Sequence, residues 1–147
     1  MVILRYIATL GFVGYLPFAP GTWGSLVAFA FFIFVKPNPY IHIIMVLIFT
    51  VIGVVSSGYA EKLLHAKDSG HIVIDEFCGY LLSVVLLPFG YAEAVVAFFL
   101  FRFFDILKPF PIKKIESTLS GGKGIMADDI MAAIYTNLVL QIWKFVH

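Results

Sequence analysis

The stretch Gly-Gly-Lys-Gly-Ile-Met-Ala-Asp-Asp, residues 121–129, leads into an apolar segment, 130–143, that contains no Asp, Glu, Lys or Arg. The three glycines and Lys123 predict a loop whose backbone N–H groups and ammonium suit a phosphate. Asp128 and Asp129 supply carboxylate oxygens, which are the ligands that Mg²⁺ prefers. A simpler interpretation is a helix N-terminus, where acids interact favourably with the helix dipole.

The composition of the chain predicts a membrane protein. Of its 147 residues, 61% are hydrophobic and 13% are charged, and the mean hydropathy is +0.99. Soluble domains carry about 45–50% apolar and about 25% charged residues, so a globule of this size cannot bury so much apolar surface. The length predicts a single domain, residues 1–147. No basic tract is present, which argues against nucleic acid as a partner, and the single cysteine, Cys78, excludes an internal disulfide.

Prolines and polar residues divide the chain into about five apolar helices. These are predicted at 24–35, 40–60, 72–87, 91–107 and 125–146. A short helix is predicted within 1–15, an amphipathic surface helix at 112–120, and Thr22 is expected to cap the first apolar helix. Segment 40–60 is long enough to cross a bilayer by itself, whereas 24–35 is short. Because only helices and closed barrels span lipid and the pattern does not alternate, we predict an all-α, small polytopic membrane helical bundle.

An antiparallel arrangement of these helices brings the polar clusters to one end of the bundle. Every Lys and Arg except Lys36 and Lys144 then lies at or near that end. Because cytoplasmic loops carry an excess of Lys and Arg, this end is predicted to face the cytoplasm. Four segments that carry candidate functional groups meet there, namely 21–25, 75–76, 102–108 and 121–129.

Acids within apolar helices are costly and are therefore candidates for function. Asp75 and Glu76 are adjacent and diverge by about 100° on a helix, so one can face a site while the other supports it. The alternative interpretation is that Asp75 and Glu76 are solvated at the start of a helix and have no functional role. Arg102, Asp105 and Lys108 follow one another at i, i+3 and i+6 along one face. They predict either a simple Arg102–Asp105 ion pair or an ionised metal ligand, Asp105, beside two cations that can bind phosphate oxygens.

Further phosphate-binding groups are predicted near the start of two helices. Thr22 and Ser25, within Gly-Thr-Trp-Gly-Ser at 21–25, offer hydroxyls and backbone N–H groups at a helix N-terminus, which is a common anion site. Gly122 and Lys123 offer a backbone N–H and an ammonium from the glycine-rich stretch. Lys123 would equally suit an exposed position with no ligand.

Four motifs occur in a fixed order along the chain. They are Gly21-Thr22-x-Gly24-Ser25, Asp75-Glu76-x-x-Gly79, Phe101-Arg102-x-x-Asp105-x-x-Lys108-Pro109-x-Pro111-Ile112 and Gly121-Gly122-x-Gly124-Ile125-Met126-x-Asp128-Asp129-x-x-Ala132. From about residue 11 to the C-terminus, this order resembles the phosphatidylglycerophosphatase A family. The resemblance implies a magnesium-dependent phosphatase of the bacterial inner membrane that converts phosphatidylglycerophosphate to phosphatidylglycerol. Soluble relatives share the acidic motifs, so it is the apolar helices that point to a lipid substrate.

The residues and the resemblance agree on one site, which we expect at the cytoplasmic membrane face. Mg²⁺ is predicted at the carboxylates of Asp75, Glu76, Asp105, Asp128 and Asp129. Catalytic roles are predicted for Arg102, Asp105, Lys108 and Asp129. We favour hydrolysis by an activated water, with attack by a carboxylate through an aspartyl-phosphate as the alternative.

A different class of protein also accounts for intramembrane acids. A small ion- or proton-coupled transporter would use them along its ion path. The predicted acids gather at one end of the bundle instead of the midplane, which favours the phosphatase. The sequence does not predict an oligomeric state.

Overall fold

The chain folds into a bundle of α-helices. The computed structural model describes residues 2–66 and 69–146, and within these ranges it contains no strand. Its helices are α1 Val2–Ala8, α2 Pro20–Val35, α3 Pro39–Leu64, α4 Ile74–Ser83, α5 Tyr91–Leu107, α6 Ile112–Thr118 and α7 Gly121–Val146, with a 3-10 turn at Val13–Tyr15. The all-α prediction is confirmed. Lys67, one of the cations assigned to the cytoplasmic end, lies outside the described residues.

Prolines and a polar cap set several helix boundaries close to the predicted positions. The backbone N–H of Tyr40 donates to the Asn38 side chain at 3.0 Å, which caps α3 next to Pro39 in its first turn. Helix α5 occupies the predicted segment 91–107. Lys108 ends α5 in the left-handed conformation, with φ 47°, immediately before Pro109.

Two helices begin earlier than predicted. Helix α2 starts at Pro20 with Ala19 at its N-cap, so the prediction that Thr22 caps this helix is wrong. Thr22 lies in the first turn, where its N–H donates to the Ala19 carbonyl at 2.9 Å. Helix α7 starts at Gly121, and the stretch 121–129 is therefore helical; the predicted glycine-rich loop is wrong.

Helix α4 is shorter than the predicted segment 72–87 and lies in the middle of the bundle. It packs against α2, α3, α5 and α7, and all of its residues except Glu76 and Leu82 are buried. The chain turns after Ser83, which leaves backbone carbonyls without helical donors. Asn137 of α7 supplies these donors, since its Nδ2 lies 3.0 Å from the Ser83 oxygen and 2.8 Å from that of Val85. Helix α4 is thus a core helix held by a distant part of the chain.

Within the described ranges, α3 and α7 are long and apolar enough to cross a membrane, and α2 is a shorter apolar helix. The prediction of about five apolar spanning helices is therefore not confirmed. Large apolar side chains are nevertheless exposed on the outer faces of three helices: Ile41, Ile44, Leu47, Val51 and Val55 on α3, Val95, Phe99, Phe103 and Ile106 on α5, and Leu138, Ile142 and Phe145 on α7. Such continuous apolar faces suit contact with lipid, and the fold agrees with membrane association.

The bundle brings the polar ends of its helices together, as the antiparallel arrangement predicted. Asp75 opens α4, Asp129 lies near the start of α7, and Asp105 lies near the end of α5. Helix α5 must therefore run opposite to α4 and α7. We call the end of the bundle where these three aspartates meet the site end. Helix α6 packs on α7 beside it.

Candidate active site

Three carboxylates form the centre of the site end. Asp75, Glu76 and Asp129 each offer an oxygen, and these oxygens lie within 4.8 Å of one another. One oxygen of each residue is buried and has no hydrogen-bond partner among the described residues. Burying carboxylate oxygens without donors or cations is strongly unfavourable. A hard divalent cation such as Mg²⁺ would satisfy these oxygens, so the residues fit the predicted metal.

Gly79 permits the close approach of α5 and α7 to α4 beside this centre. A Cβ at Gly79 would lie 2.6 Å from Cζ of Phe101 and 3.2 Å from Cβ of Asp129. The first distance is shorter than real Cβ atoms tolerate, so any side chain at Gly79 would displace the Phe101 ring. The glycine in Asp75-Glu76-x-x-Gly79 therefore serves packing around the carboxylates.

Arg102 and Asp105 form the ion pair that the sequence offered as one interpretation. The pair joins Nη1 of Arg102 to Oδ2 of Asp105, and both side chains are largely buried. The Asp105 carboxylate also lies close enough to interact with Glu76, Asp128 and Asp129. Nε of Arg102 is buried without a hydrogen-bond partner in the described ranges, which leaves one donor for an anion. The ion pair thus borders the three-carboxylate centre.

Lys108 connects the end of α5 to α6 and α7. Its Nζ donates to Oδ2 of Asp128 at 2.8 Å and lies 2.8 Å from Oε1 of Glu116. Burial by itself would lower the pKa of Lys108, but the hydrogen bonds to Asp128 and Glu116 and the charges of both carboxylates raise it overall. Lys108 therefore stays an ammonium group, and one of its three N–H donors remains for a phosphate oxygen.

Glu116 is a site residue that the sequence did not predict. It lies on α6, whereas its partner Lys108 follows α5 and precedes two prolines. No helical spacing links the two positions, because side chains meet within one helix only at i, i+3 or i+4. The ion pair depends on how α6 folds back beside α7.

The two adjacent acids of α7 face different partners. Asp129 joins the centre, while Asp128 binds Lys108, as the angle of about 100° between neighbouring helix positions requires. The second oxygen of Asp128, Oδ1, is buried without a partner in the described part of the chain. Metal binding by all five acids, Asp75, Glu76, Asp105, Asp128 and Asp129, stays a prediction.

The four predicted phosphate-binding residues lie in different surroundings. Ser25 is fully buried, and its hydroxyl donates to a backbone carbonyl of its own helix at 3.0 Å. Thr22 is half-buried, and Lys123 is exposed. Gly122 lies against α3, where a Cβ would overlap the carbonyl oxygen of Val54. Packing of α7 on α3 thus requires this glycine, and phosphate contacts from the four residues stay predictions.

The fold and the site define a class of protein: an apolar helical bundle that holds a buried acidic centre, suited to a divalent cation, beside Arg102 and Lys108. The family model described as Phosphatidylglycerophosphatase A matches residues 6–144. The chain belongs to the phosphatidylglycerophosphatase A family. Membership confirms the resemblance drawn from the four motifs and, with it, the prediction of a phosphatase.

Curated relatives extend over most of the chain. A protein of Haemophilus influenzae named phosphatidylglycerophosphatase A is 40% identical over 135 residues, covering 85% of this chain and 80% of the relative. An Escherichia coli K12 protein of the same name is 35% identical over 138 residues, covering 92% of this chain and 80% of the relative. A Bacteroides thetaiotaomicron protein named putative phosphatidylinositol-3-phosphatase is 32% identical over 142 residues, covering 90% of this chain and 88% of the relative. No solved structure matches the chain.

Proposed function

We propose that this chain is a Mg²⁺-dependent phosphatase that hydrolyses the terminal phosphomonoester of phosphatidylglycerophosphate to phosphatidylglycerol and phosphate. The observation that carries the proposal is the group of Asp75, Glu76 and Asp129, whose buried oxygens have no partner among the described residues. Two relatives named phosphatidylglycerophosphatase A support the choice of substrate.

The acidic centre is the proposed metal site. Asp75, Glu76 and Asp129 would hold the cation, with Asp105 and Asp128 beside them. When bound, Mg²⁺ neutralises phosphate charge and makes a water molecule more acidic. Excess negative charge supports this role, since six carboxylates, Glu116 included, lie near two cations, Arg102 and Lys108, in the described part of the chain.

The two cations are the proposed phosphate-binding groups. A phosphomonoester dianion is hydrolysed only where its charge is neutralised and its phosphorus is held in line with a nucleophile. Nε of Arg102 has no partner within the described residues, and Lys108 has a third N–H beyond those directed at Asp128 and Glu116. Each can donate a charge-assisted hydrogen bond to a phosphate oxygen.

Water is the proposed nucleophile. Its oxygen forms a bond to phosphorus while the ester P–O bond breaks, and Asp105, held by Arg102, accepts the proton of the water. A proton then passes to the leaving oxygen, which becomes the terminal hydroxyl of phosphatidylglycerol. Direct attack by a carboxylate is the alternative, and it would leave a phosphorylated protein after an acid quench.

The proposed location is a bacterial inner membrane, with several helices crossing the bilayer and the site end at the cytoplasm. The exposed apolar faces of α3, α5 and α7 support a membrane location, and the Lys and Arg residues that the sequence predicts at the site end support its orientation. A membrane-impermeant thiol reagent tests the orientation, because the native Cys78 is buried. Gly90→Cys should react from outside and Ser120→Cys only after permeabilisation. The reverse pattern would separate the site from a cytoplasmic substrate.

Phosphate release by the purified protein in detergent tests the function. We expect turnover of phosphatidylglycerophosphate that stops with a chelator and returns with Mg²⁺. Full turnover in excess EDTA would overturn the metal mechanism. Phosphatidylinositol 3-phosphate belongs in the same assay because of the name of the Bacteroides relative, and faster hydrolysis of that lipid would overturn the proposed substrate. No release from any lipid phosphomonoester would favour the transporter.

A further inference from the structure

A cleft of about 350 Å³ lies between α6, the start of α7 and the end of α3. Lys113, Glu116 and Ser120 line one side, Glu61 lines another, and Asp128 borders it from α7. Its volume is near the lower end of the ~300–1,000 Å³ range of ligand pockets. A lipid headgroup fits such a space, whereas a whole phospholipid does not.

The cleft borders the proposed active site directly. Asp128 and Glu116, which both line the cleft, are also the two carboxylates that hold Lys108. A phosphate bound by Lys108 would therefore lie beside two residues of the cleft lining. The remaining part of the same headgroup needs a neighbouring space.

Three acids line the cleft, Glu61, Glu116 and Asp128, and the last two are paired with Lys108. The positive charge that an anion needs comes from Lys113 and from the start of α7. Lys113 is exposed and, within residues 2–66 and 69–146, forms no ion pair. Gly121 and Gly124 at the start of α7 also line the cleft, where the helix dipole favours negative charge. Oδ1 of Asp128, a residue that is 7% exposed, is buried without a partner in these ranges and can accept a hydrogen bond from a hydroxyl.

We propose that the cleft binds the part of the headgroup that does not react: the phosphodiester, at Lys113 and the start of α7, and the glycerol hydroxyl, at Asp128. The inference rests on the proposed function, because it adds a binding place for the rest of the same substrate. Phosphatidylglycerophosphate has two phosphates joined by one glycerol. When the terminal phosphate lies at Arg102 and Lys108, the second phosphate is only a glycerol away, and the cleft is the neighbouring space that shares Glu116 and Asp128 with Lys108.

Product inhibition isolates this subsite, because phosphatidylglycerol keeps the glycerol and the phosphodiester but lacks the terminal phosphate. Lys113→Gln should raise both the inhibition constant of phosphatidylglycerol and the KM of the substrate about tenfold, with kcat nearly unchanged. Lys114→Gln is the matched control. It removes the same charge from the next residue of α6, which does not line the cleft. Lys113→Arg should restore the inhibition constant to near the wild-type value.

The outcomes separate the two proposals. Equal changes in the inhibition constant and in KM for Lys113→Gln and Lys114→Gln would mean that α6 acts through its overall positive charge near the lipid surface. That result would overturn the subsite. An active wild-type protein with unchanged constants in Lys113→Gln would overturn the subsite alone. A wild-type protein that releases no phosphate from phosphatidylglycerophosphate would overturn the proposed function itself. Circular dichroism of each variant in detergent confirms that constants are compared between folded proteins.

Discussion

Helix α7 meets α4 through polar side chains at two levels, and the two contacts are opposite in kind. Away from the site end, Asn137 donates to the carbonyls of Ser83 and Val85, so this contact satisfies the groups that it buries. At the site end, Asp129 faces Asp75 and Glu76, and each of these carboxylates has a buried oxygen without a donor in the described chain.

The difference shows which buried polar groups stabilise the fold and which do not. Satisfied groups contribute to stability, whereas crowded carboxylates oppose it. Unfavourable arrangements of this kind persist where they serve a ligand or a reaction. The same pair of helices thus carries a structural contact and a functional one, and substitutions should separate them.

The largest effect is expected for Asp129→Asn, which keeps the shape of the side chain and removes its charge. Activity should fall at least about a hundredfold, because a metal-binding carboxylate is lost, and high Mg²⁺ should restore part of it. The melting temperature in EDTA should not fall, since one of several like charges has gone. Phosphate release over a Mg²⁺ titration and thermal unfolding in detergent measure the two effects. Near-normal specific activity would remove Asp129 from the site.

A smaller loss, about a hundredfold or less in kcat/KM, is expected for Lys108→Ala. The variant keeps the three-carboxylate centre but removes a phosphate contact, so added Mg²⁺ should not restore activity. Glu116→Gln should lower kcat/KM by about tenfold or less, because Lys108 keeps its contact with Asp128. The matched control is Glu61→Gln, an acid that lines the same cleft without an ion pair to Lys108 in the described ranges. Restoration of Lys108→Ala by Mg²⁺ would assign Lys108 to metal binding instead.

The smallest effect on chemistry is expected for Asn137→Ala. Two carbonyls lose their donor, so the free energy of unfolding should fall by about 1–3 kcal/mol, while the activity of the folded fraction stays near normal. Gln141→Ala should lower the free energy of unfolding by less, because the hydrogen bond from Gln141 to Val85 is long, at 3.5 Å. Chemical unfolding in detergent provides the measurement. A loss of kcat larger than the loss of folded protein would show that the Asn137 contact is also functional, and would contradict its purely structural role.

The sequence predicted the features that local chemistry determines. Two prolines after Lys108 end α5 where expected, since the residue before proline avoids the helical conformation. The acids of α4 and α7 stood out because charges within apolar helices are rare. Their convergence followed from the antiparallel order of the helices, and the structure brings Asp75, Glu76 and Asp129 together as predicted.

Features set by distant contacts could not be predicted. Residues 84–87 are apolar and continue the pattern of α4, yet the helix ends at Ser83, where Asn137 binds the freed carbonyls. The glycines at 121–124 predict a loop by propensity, but packing of Gly122 on α3 keeps this stretch helical. Glu116 reaches Lys108 only because α6 folds back on α7.

The shortness of α4 has a consequence for how the chain enters a bilayer during synthesis. Ten residues rise about 15 Å, roughly half of the ~30 Å hydrocarbon layer, and two acids occupy the first turn. Such a segment is not retained in lipid by its own hydropathy. Its last carbonyl groups also need N–H donors, and these come from Asn137 of α7, which is synthesised later. We therefore expect α4 to stay outside the hydrocarbon, and open to proteolysis by quality-control enzymes, until α7 has emerged from the ribosome and inserted.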